Sequence, residues 1–164
     1  MAEFLEVDPA VTLWGLLLEV ESELKRRLDG VITSATGLSG KQFEVLLRVA
    51  QTRGQQLRLT QLATMTSFTS GGTSKLIVRM ESAGLLARAH DPNDGRATLV
   101  TITDQGWDLL HRGLAAHVPS LYREMVDVLT TEQTEQLESV LRALRTAFTD
   151  LGGTRRSTQG SHVD

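Results

Sequence analysis

Apolar residues recur every three or four positions along most of the chain, which is the spacing of one face of an α-helix. The first such segment covers residues 11–34, and Thr36 and Gly37 are expected to break the helix after it. A second segment follows Ser39, which stands three residues before Gln42 in the pattern of a capping box. We therefore predict one long helix near the N-terminus and a shorter helix that ends near Thr52.

Two more helical segments occupy the C-terminal third. Thr103 is a suitable N-cap for a helix that continues past Pro119, where we expect a kink or a short irregular turn. Thr130 begins a second capping box, and the last helix follows it. Glycines at 152–153 are expected to end that helix, which leaves residues 152–164 as a polar, flexible tail.

Residues 59–84 predict two helices separated by a turn. Thr60 is expected to cap the first helix, and residues 67–69 are expected to form the turn. The second helix should end at a glycine, which readily adopts the left-handed conformation of a helix C-terminus. Its predicted apolar stripe consists of Thr73, Leu76, Ile77, Met80 and Gly84.

After Gly84 the spacing of apolar residues changes from that of a helix to that of extended strands. Residues 85–90 and 97–103 predict two strands, and turn formers at 91–95 separate them. A short third strand is predicted at residues 57–59. Helix, turn, helix and hairpin follow one another in the order of a winged helix-turn-helix. The predicted fold class is therefore mainly α with a small antiparallel β-wing (α+β), flanked by long N- and C-terminal helices.

The second helix is polar opposite its apolar stripe, which suits a surface that contacts DNA. A helix fits the major groove, and a cation on a hairpin tip can enter the narrow, electronegative minor groove. We predict that Arg96 is this cation and that Asp91 or Asp94 holds it, or a neighbouring basic residue, before DNA binds. The helix residues predicted to contact DNA are Ser70, Gly72, Thr73, Ser74, Lys75 and Arg79.

Charge is distributed unevenly, although the formal net charge is −3. Residues 41–100 hold 8 Lys and Arg against 4 acids, whereas the remainder holds 9 basic and 16 acidic residues. A basic segment orients a protein on a phosphate backbone.

The alternative is a winged-helix module that binds a partner protein and not DNA. Residues 59–106 contain only one aromatic residue, Phe68, and this disfavours a protein-binding face.

Three motifs in this segment carry a family resemblance: T-S-K-L-I-V-R-M-E-S-A-G-L-L-A-R at 73–88, D-P-N-D-G-R at 91–96 and V-T-I-T-D-Q-G at 100–106. Together they resemble the multiple-antibiotic-resistance regulator (MarR) family. The resemblance implies a homodimeric, ligand-responsive transcription factor, most often a repressor. Members often have a second Arg where this chain has Gly95, so minor-groove contact would rest on Arg96 alone.

The first and last helices carry apolar stripes that no sheet or second core would cover. A homodimer would cover them, and its two recognition helices would match a pseudo-palindromic operator. The predicted organisation is one compact domain, with a helical dimerisation region at residues 1–38 and 104–151 and a winged helix-turn-helix at 39–103. The predicted dimer contacts are Leu17, Leu24, Leu141, Leu144 and Phe148.

The resemblance also implies a small aromatic or amphipathic anionic effector, held where the dimerisation helices meet the DNA-binding region. Aromatic side chains line such pockets, and histidine can donate a hydrogen bond to an anion. The candidate lining residues are Trp14, Phe43, Leu47, Trp107 and His111.

Other chemistry is not indicated. The chain has no Cys, which excludes disulfides, thiolate zinc sites and cysteine redox sensing. His111 and His117 lack the spacing of helical metal ligands, so we predict no metal and no cofactor. No serine lies in a recognisable catalytic motif, so we do not expect an enzyme. Acids near the N-terminus, and the lack of an apolar run of ~20 residues, favour a cytoplasmic protein without a membrane partner.

Overall fold

The computed structural model describes residues 8–65, 70–92 and 94–157. By contacts the chain divides into two compact units, Met1–Leu121 and Tyr122–Asp164. The predicted dimerisation region is therefore shared between both units. In chain order the elements are α1 (Pro9–Thr36), α2 (Gly40–Ala50), β1 (Gln56–Arg58), α3 (Leu59–Met65), α4 (Ser70–Ser82), β2 (Leu86–Asp91), β3 (Asp94–Ile102), α5 (Asp104–Leu121), a π-helical turn (Tyr122–Val126) and α6 (Thr131–Ser157).

The end of α1 and the start of α2 lie at the caps that the sequence predicts. Gly37 ends α1 in the left-handed conformation, with φ of 74°. Ser39 and Gln42 form the expected capping box, in which each side chain satisfies the backbone N–H of the other. The start of α1 differs, because Asp8 caps it and Pro9 occupies its first turn. Helix α2 ends at Ala50, two residues before the predicted Thr52.

Thr60 does not cap α3, contrary to the prediction. Strand β1 leads directly into α3 at Leu59, so Thr60 already lies within the helix. The side-chain oxygen of Gln61 instead accepts the backbone N–H of Arg58 at 3.1 Å, which is half of a capping box. The predicted turn at residues 67–69 lies outside the described residues.

Gly84 terminates α4 in a Schellman motif, as the glycine predicts. Its φ is 70°, its N–H donates to the carbonyl of Glu81, and the N–H of Leu85 donates to the carbonyl of Met80, both at 2.9 Å. These bonds satisfy carbonyl groups that the helix end would leave unpaired. The chain therefore turns at a defined angle from α4 into the wing.

The three strands form an antiparallel sheet in the order β1-β3-β2. The hairpin is tighter than predicted, because Asp91 pairs with Asp94 and only residues 92–93 separate the strands. Arg96 therefore lies within β3 and not on the tip. The longer strands satisfy more backbone groups than a five-residue loop would.

The hydrophobic core lies where α2, α3, α4, the sheet and α5 meet. Its fully buried side chains come from every one of these elements, so the angle of α4 to the rest of this unit is determined by packing and not by the loops. These side chains include Leu46, Val49, Leu62, Ile77, Met80, Val100 and Leu110.

The wing joins α5 through close backbone packing. The Thr103 hydroxyl caps α5 by accepting the N–H of Gly106 at 3.1 Å, as predicted, and donates to the carbonyl of Gly84 at 2.6 Å. A Cβ on Gly106 would overlap the carbonyl oxygen of Leu85. Glycine is therefore required for this approach of α5 to the start of the wing.

The C-terminal elements confirm one irregularity and correct one helix end. Pro119 lies inside α5, and the π-helical turn begins three residues later. The Thr130 capping box at the start of α6 is confirmed by reciprocal bonds with Gln133. However, α6 continues through residues 152–153 to Ser157, so these glycines do not end it. Glycine lowers helix propensity by about 1 kcal/mol without blocking the helical backbone.

Candidate nucleic-acid interface

The outward face of α4 presents small, polar and cationic groups. Ser74, Lys75, Val78 and Arg79 line a shallow depression on this face, and the backbone at Gly72 is exposed one turn earlier. Helix α4 also begins at Ser70, whose side chain lies outside the described residues. Of the residues predicted to contact DNA, the structure thus brings Gly72, Ser74, Lys75 and Arg79 to one side of the helix.

Thr73 is an exception, and its predicted exposure is wrong. Its side chain is 0% exposed, as are those of Ile77 and Met80, four and seven residues later. Because these three residues share the inward face of α4, Thr73 cannot reach a base edge. The apolar stripe predicted from the sequence already contained Thr73, and that assignment is the correct one.

Arg96 projects from an irregular part of the wing. His90 pairs with Thr98 and Asp91 with Asp94, so residues 95–97 stand opposite a single step of β2. This insertion is a β-bulge, which bends the strand and changes the direction in which its side chains point. Arg96 is exposed there, and its backbone N–H donates to the carboxylate of Asp94 at 3.3 Å.

The two acids predicted to support the wing are held by Arg58, a residue that the sequence analysis missed. Its guanidinium lies 2.7 Å from the carboxylate of Asp91 and 3.4 Å from that of Asp94. The Asp91 side chain is 7% exposed and that of Arg58 is 40% exposed. The predicted interaction with a neighbouring basic residue therefore forms, but the cation comes from β1, more than thirty residues earlier in the chain.

A second ion pair connects α4 to the wing. The Nε of Arg88 on β2 donates to the Glu81 carboxylate on α4 at 2.7 Å. This hydrogen bond raises the pKa of the Arg88 guanidinium above its ordinary value. Arg88 is thus engaged within the protein, whereas Lys75, Arg79 and Arg96 pair with no acidic side chain in the described part of the chain.

The candidate effector residues differ in exposure, from the core to the protein surface. Trp107 and His111 lie together on α5 with ring centroids 5.6 Å apart, and Leu47 is half-buried against the core. Phe43 is a core residue and not an accessible pocket wall: it is 4% exposed and packs on α5 where Gly113 leaves room for its ring. Trp14 lies in the first two turns of α1 and is 59% exposed.

The candidate dimer residues are unusually exposed for apolar side chains. On α1, Leu17 is 44% exposed, whereas Leu24 is half-buried. On α6, exposure is 47% for Leu141, 44% for Leu144 and 68% for Phe148. Each helix therefore presents an apolar face to solvent within this single chain.

The described residues form neither a metal site nor a membrane-spanning helix. No three His, Asp or Glu side chains in these ranges lie close enough to hold a metal ion. No helix in the same ranges combines the length and apolar character needed to cross a membrane.

Comparison with known proteins assigns the family. The MarR family profile matches residues 36–97. The transcriptional regulator HosA of Escherichia coli O111:H- is 31% identical over 114 residues, which cover 67% of this chain and 79% of HosA. A match of 114 residues is much longer than the segment 73–106 that holds the three motifs.

Solved structures agree with this assignment. AbsC, a MarR family transcriptional regulator from Streptomyces coelicolor, superposes with a TM-score of 0.78 at 26% identity, covering 88% of this chain and 97% of AbsC. Sco3205, a MarR family regulator from the same organism solved in complex with DNA, gives a TM-score of 0.77 at 25% identity, covering 87% of this chain and 93% of Sco3205. The chain belongs to the MarR family, and it is a transcriptional regulator and not an enzyme.

Proposed function

We propose that this regulator binds a pseudo-palindromic DNA operator as a homodimer, with α4 in the major groove and Arg96 in the minor groove. The observation that carries the proposal is the placement of three cations that pair with no acidic side chain among the described residues. Lys75 and Arg79 lie on the outward face of α4, and Arg96 projects from the wing bulge of the same unit. A helix and a cation beside it on the same compact unit match the major and the minor groove of a duplex.

The remaining polar residues divide into two roles. Ser74, on the outward face, is suited to a hydrogen bond with a base edge, and the exposed backbone at Gly72 permits close approach to DNA. Lys75 and Arg79 are suited to phosphate contacts, which position the helix without selecting sequence. Ser70 stays in the proposal through its place at the start of α4.

Homodimer formation is supported by the exposed apolar faces of α1 and α6. The first half of α1 is exposed on all sides, including Trp14 and Leu17. An α-helix that is apolar beyond one stripe needs more than one packing partner. A second copy of the chain would cover these side chains and would place two α4 helices on the same side of a duplex.

The effector and the sign of regulation rest on the family resemblance. We infer that the chain is a ligand-responsive repressor that acts in the cytoplasm, where its operator is accessible. A small aromatic or amphipathic anion would suit the neighbouring rings of Trp107 and His111, since a histidine can donate to an anion. Trp14 and Leu47 remain candidates for the same ligand.

Selection of bound sequences from random DNA duplexes tests the proposal directly. The wild-type protein should enrich an inverted repeat. Lys75→Ala should weaken specific and non-specific binding alike and reduce the magnitude of the salt slope by about 1. Lys25→Ala, which removes an exposed cation of α1, is the matched control and should leave binding unchanged. If no sequence is enriched, the chain is instead a winged-helix module that contacts protein.

A further inference from the structure

One residue on the outward face of α4 is not explained by packing or by phosphate contact. Val78 is 46% exposed and is the only large apolar side chain so exposed on α4 within the described residues. The neighbouring Ile77 is fully buried and belongs to the core, whereas Val78, about 100° further around the helix, is exposed. Valine is also a weaker helix former than the polar residues usual at exposed positions.

The surroundings of Val78 identify the chemistry of its partner. Ser74 lies one turn earlier on the same face, and Lys75 and Arg79 line the same depression. Two cations beside a hydroxyl and an exposed isopropyl group match a surface that is anionic at its edges and offers polar groups and a methyl group at its centre. The major groove of DNA has this composition, because phosphates border it and only thymine presents a methyl group within it.

We propose that Val78 is a specificity-determining residue that contacts the C5-methyl group of a thymine in each operator half-site. The inference rests on the proposed function and names the base pair that α4 selects. Val78 and Ser74 are separated by about 6 Å along the helix axis, so a helix lying along the groove contacts base pairs roughly two steps apart. The thymine therefore stands about two positions from the base pair that Ser74 contacts.

Replacement of thymine by deoxyuridine tests this assignment, because it removes the methyl group and leaves base pairing intact. In the operator obtained by selection, each thymine is replaced in turn and binding is measured at fixed salt. For the wild-type protein, one position per half-site should weaken binding about fourfold, the effect expected from losing one buried methyl contact. Val78→Ala should bind the thymine and deoxyuridine operators with equal affinity at that position.

Val128→Ala is the matched control, since Val128 is 68% exposed and lies outside α4. This variant should still distinguish the two operators. Val78→Ala should unfold at a temperature no lower than that of wild type, because the side chain is exposed and alanine is the better helix former. If wild type is indifferent to deoxyuridine at every position, or if Val78→Ala keeps the full discrimination, the assignment of Val78 is wrong while DNA binding stands. Failure of wild type to select any sequence overturns both.

Discussion

Arg58 and Asp91 form an ion pair across the wing sheet, with 2.7 Å between a guanidinium nitrogen and a carboxylate oxygen. The pair joins the end of β1 to the end of β2, with β3 between these strands. The same guanidinium reaches Asp94, which in turn accepts the backbone N–H of Arg96. Arg58 therefore sets the position of the bulge that carries Arg96, without itself lying on the outward face of α4.

Removal of Arg58 is expected to loosen the wing. Arg58→Ala leaves the nearly buried Asp91 carboxylate without this cation, and we expect a loss of about 1–2 kcal/mol of unfolding free energy, reduced by the partial exposure of Arg58. Operator binding should weaken because a mobile Arg96 loses more conformational entropy when it binds. Denaturant unfolding and binding titrations measure the two effects.

The sign of the effect of Asp94→Ala distinguishes this account from simple charge repulsion. Loss of a negative charge near DNA would tighten binding if Asp94 only repelled phosphate, whereas loss of the wing contact should weaken it. Asp108→Ala, which removes an exposed acid of α5, controls for the change in net charge. Tighter binding by Asp94→Ala at fixed salt would show that Asp94 is only a solvated turn residue.

Thr73 should contribute to stability and not to sequence preference. Thr73→Val keeps the volume of this fully buried side chain but removes its hydroxyl, so the free energy of unfolding should fall by about 1 kcal/mol. The operator sequence selected by the folded variant should equal that of wild type. A changed base preference with unchanged stability would mean that Thr73 contacts DNA after all.

Gly106→Ala should destabilise the unit Met1–Leu121, because the added Cβ would overlap the carbonyl of Leu85 and lie 2.7 Å from the side chain of Ile102. We expect a loss of about 1–3 kcal/mol in urea unfolding. Gly30→Ala is the matched control, since a Cβ there meets nothing within 4 Å and Gly30 lies in α1. That variant should gain about 0.5–1 kcal/mol.

Leu144→Asp should convert the proposed dimer into monomers. Leu144 is 44% exposed in the single chain, and an aspartate buried at a dimer interface would be an unpaired charge. Sedimentation at micromolar concentration should show a dimer for wild type and a monomer for the variant. Ser139→Asp, on the opposite side of α6, should remain dimeric. A stably folded wild-type monomer would refute the proposed assembly.

Stability should fall in mild acid because of His117. Burial lowers the pKa of His117 below its ordinary value, and the nearby Asp29 only partly opposes this. Its Nδ1 is buried and meets no hydrogen-bond partner among the described residues. The unfolded chain therefore binds the proton more readily than the folded chain, so the stabilisation is complete above pH ~6.5 and is lost as pH falls toward the folded pKa.

Urea unfolding at neutral pH and at about pH 5.5 measures this effect of His117. His117→Gln should reduce the difference in unfolding free energy between the two conditions. An unchanged pH dependence in this variant would show that His117 has the same proton affinity in the folded and unfolded chains.

The sequence by itself determined the features that depend on residues within one or two turns of each other. The Ser39 and Thr130 capping boxes, the Schellman glycine Gly84 and the Thr103 cap all form as predicted, because their hydrogen bonds join backbone and side-chain groups close in the chain. The order of elements and the motifs at 73–106 were sufficient to identify the winged helix and the MarR family.

Only the tertiary structure decided which side chains meet across the fold. The choice of Arg58 as the partner of Asp91 depends on the pairing of β1 and β2 with β3, and no local pattern encodes a contact between strands so far apart in sequence. The sequence placed Thr73 both in the apolar stripe and among the DNA contacts, and the packing of α4 against the core decided between the two. The outward position of Val78 depends likewise on how α4 rotates against the core. Burial is a property of the packed assembly of elements, because the same helical period is compatible with several rotations until neighbouring elements cover one face.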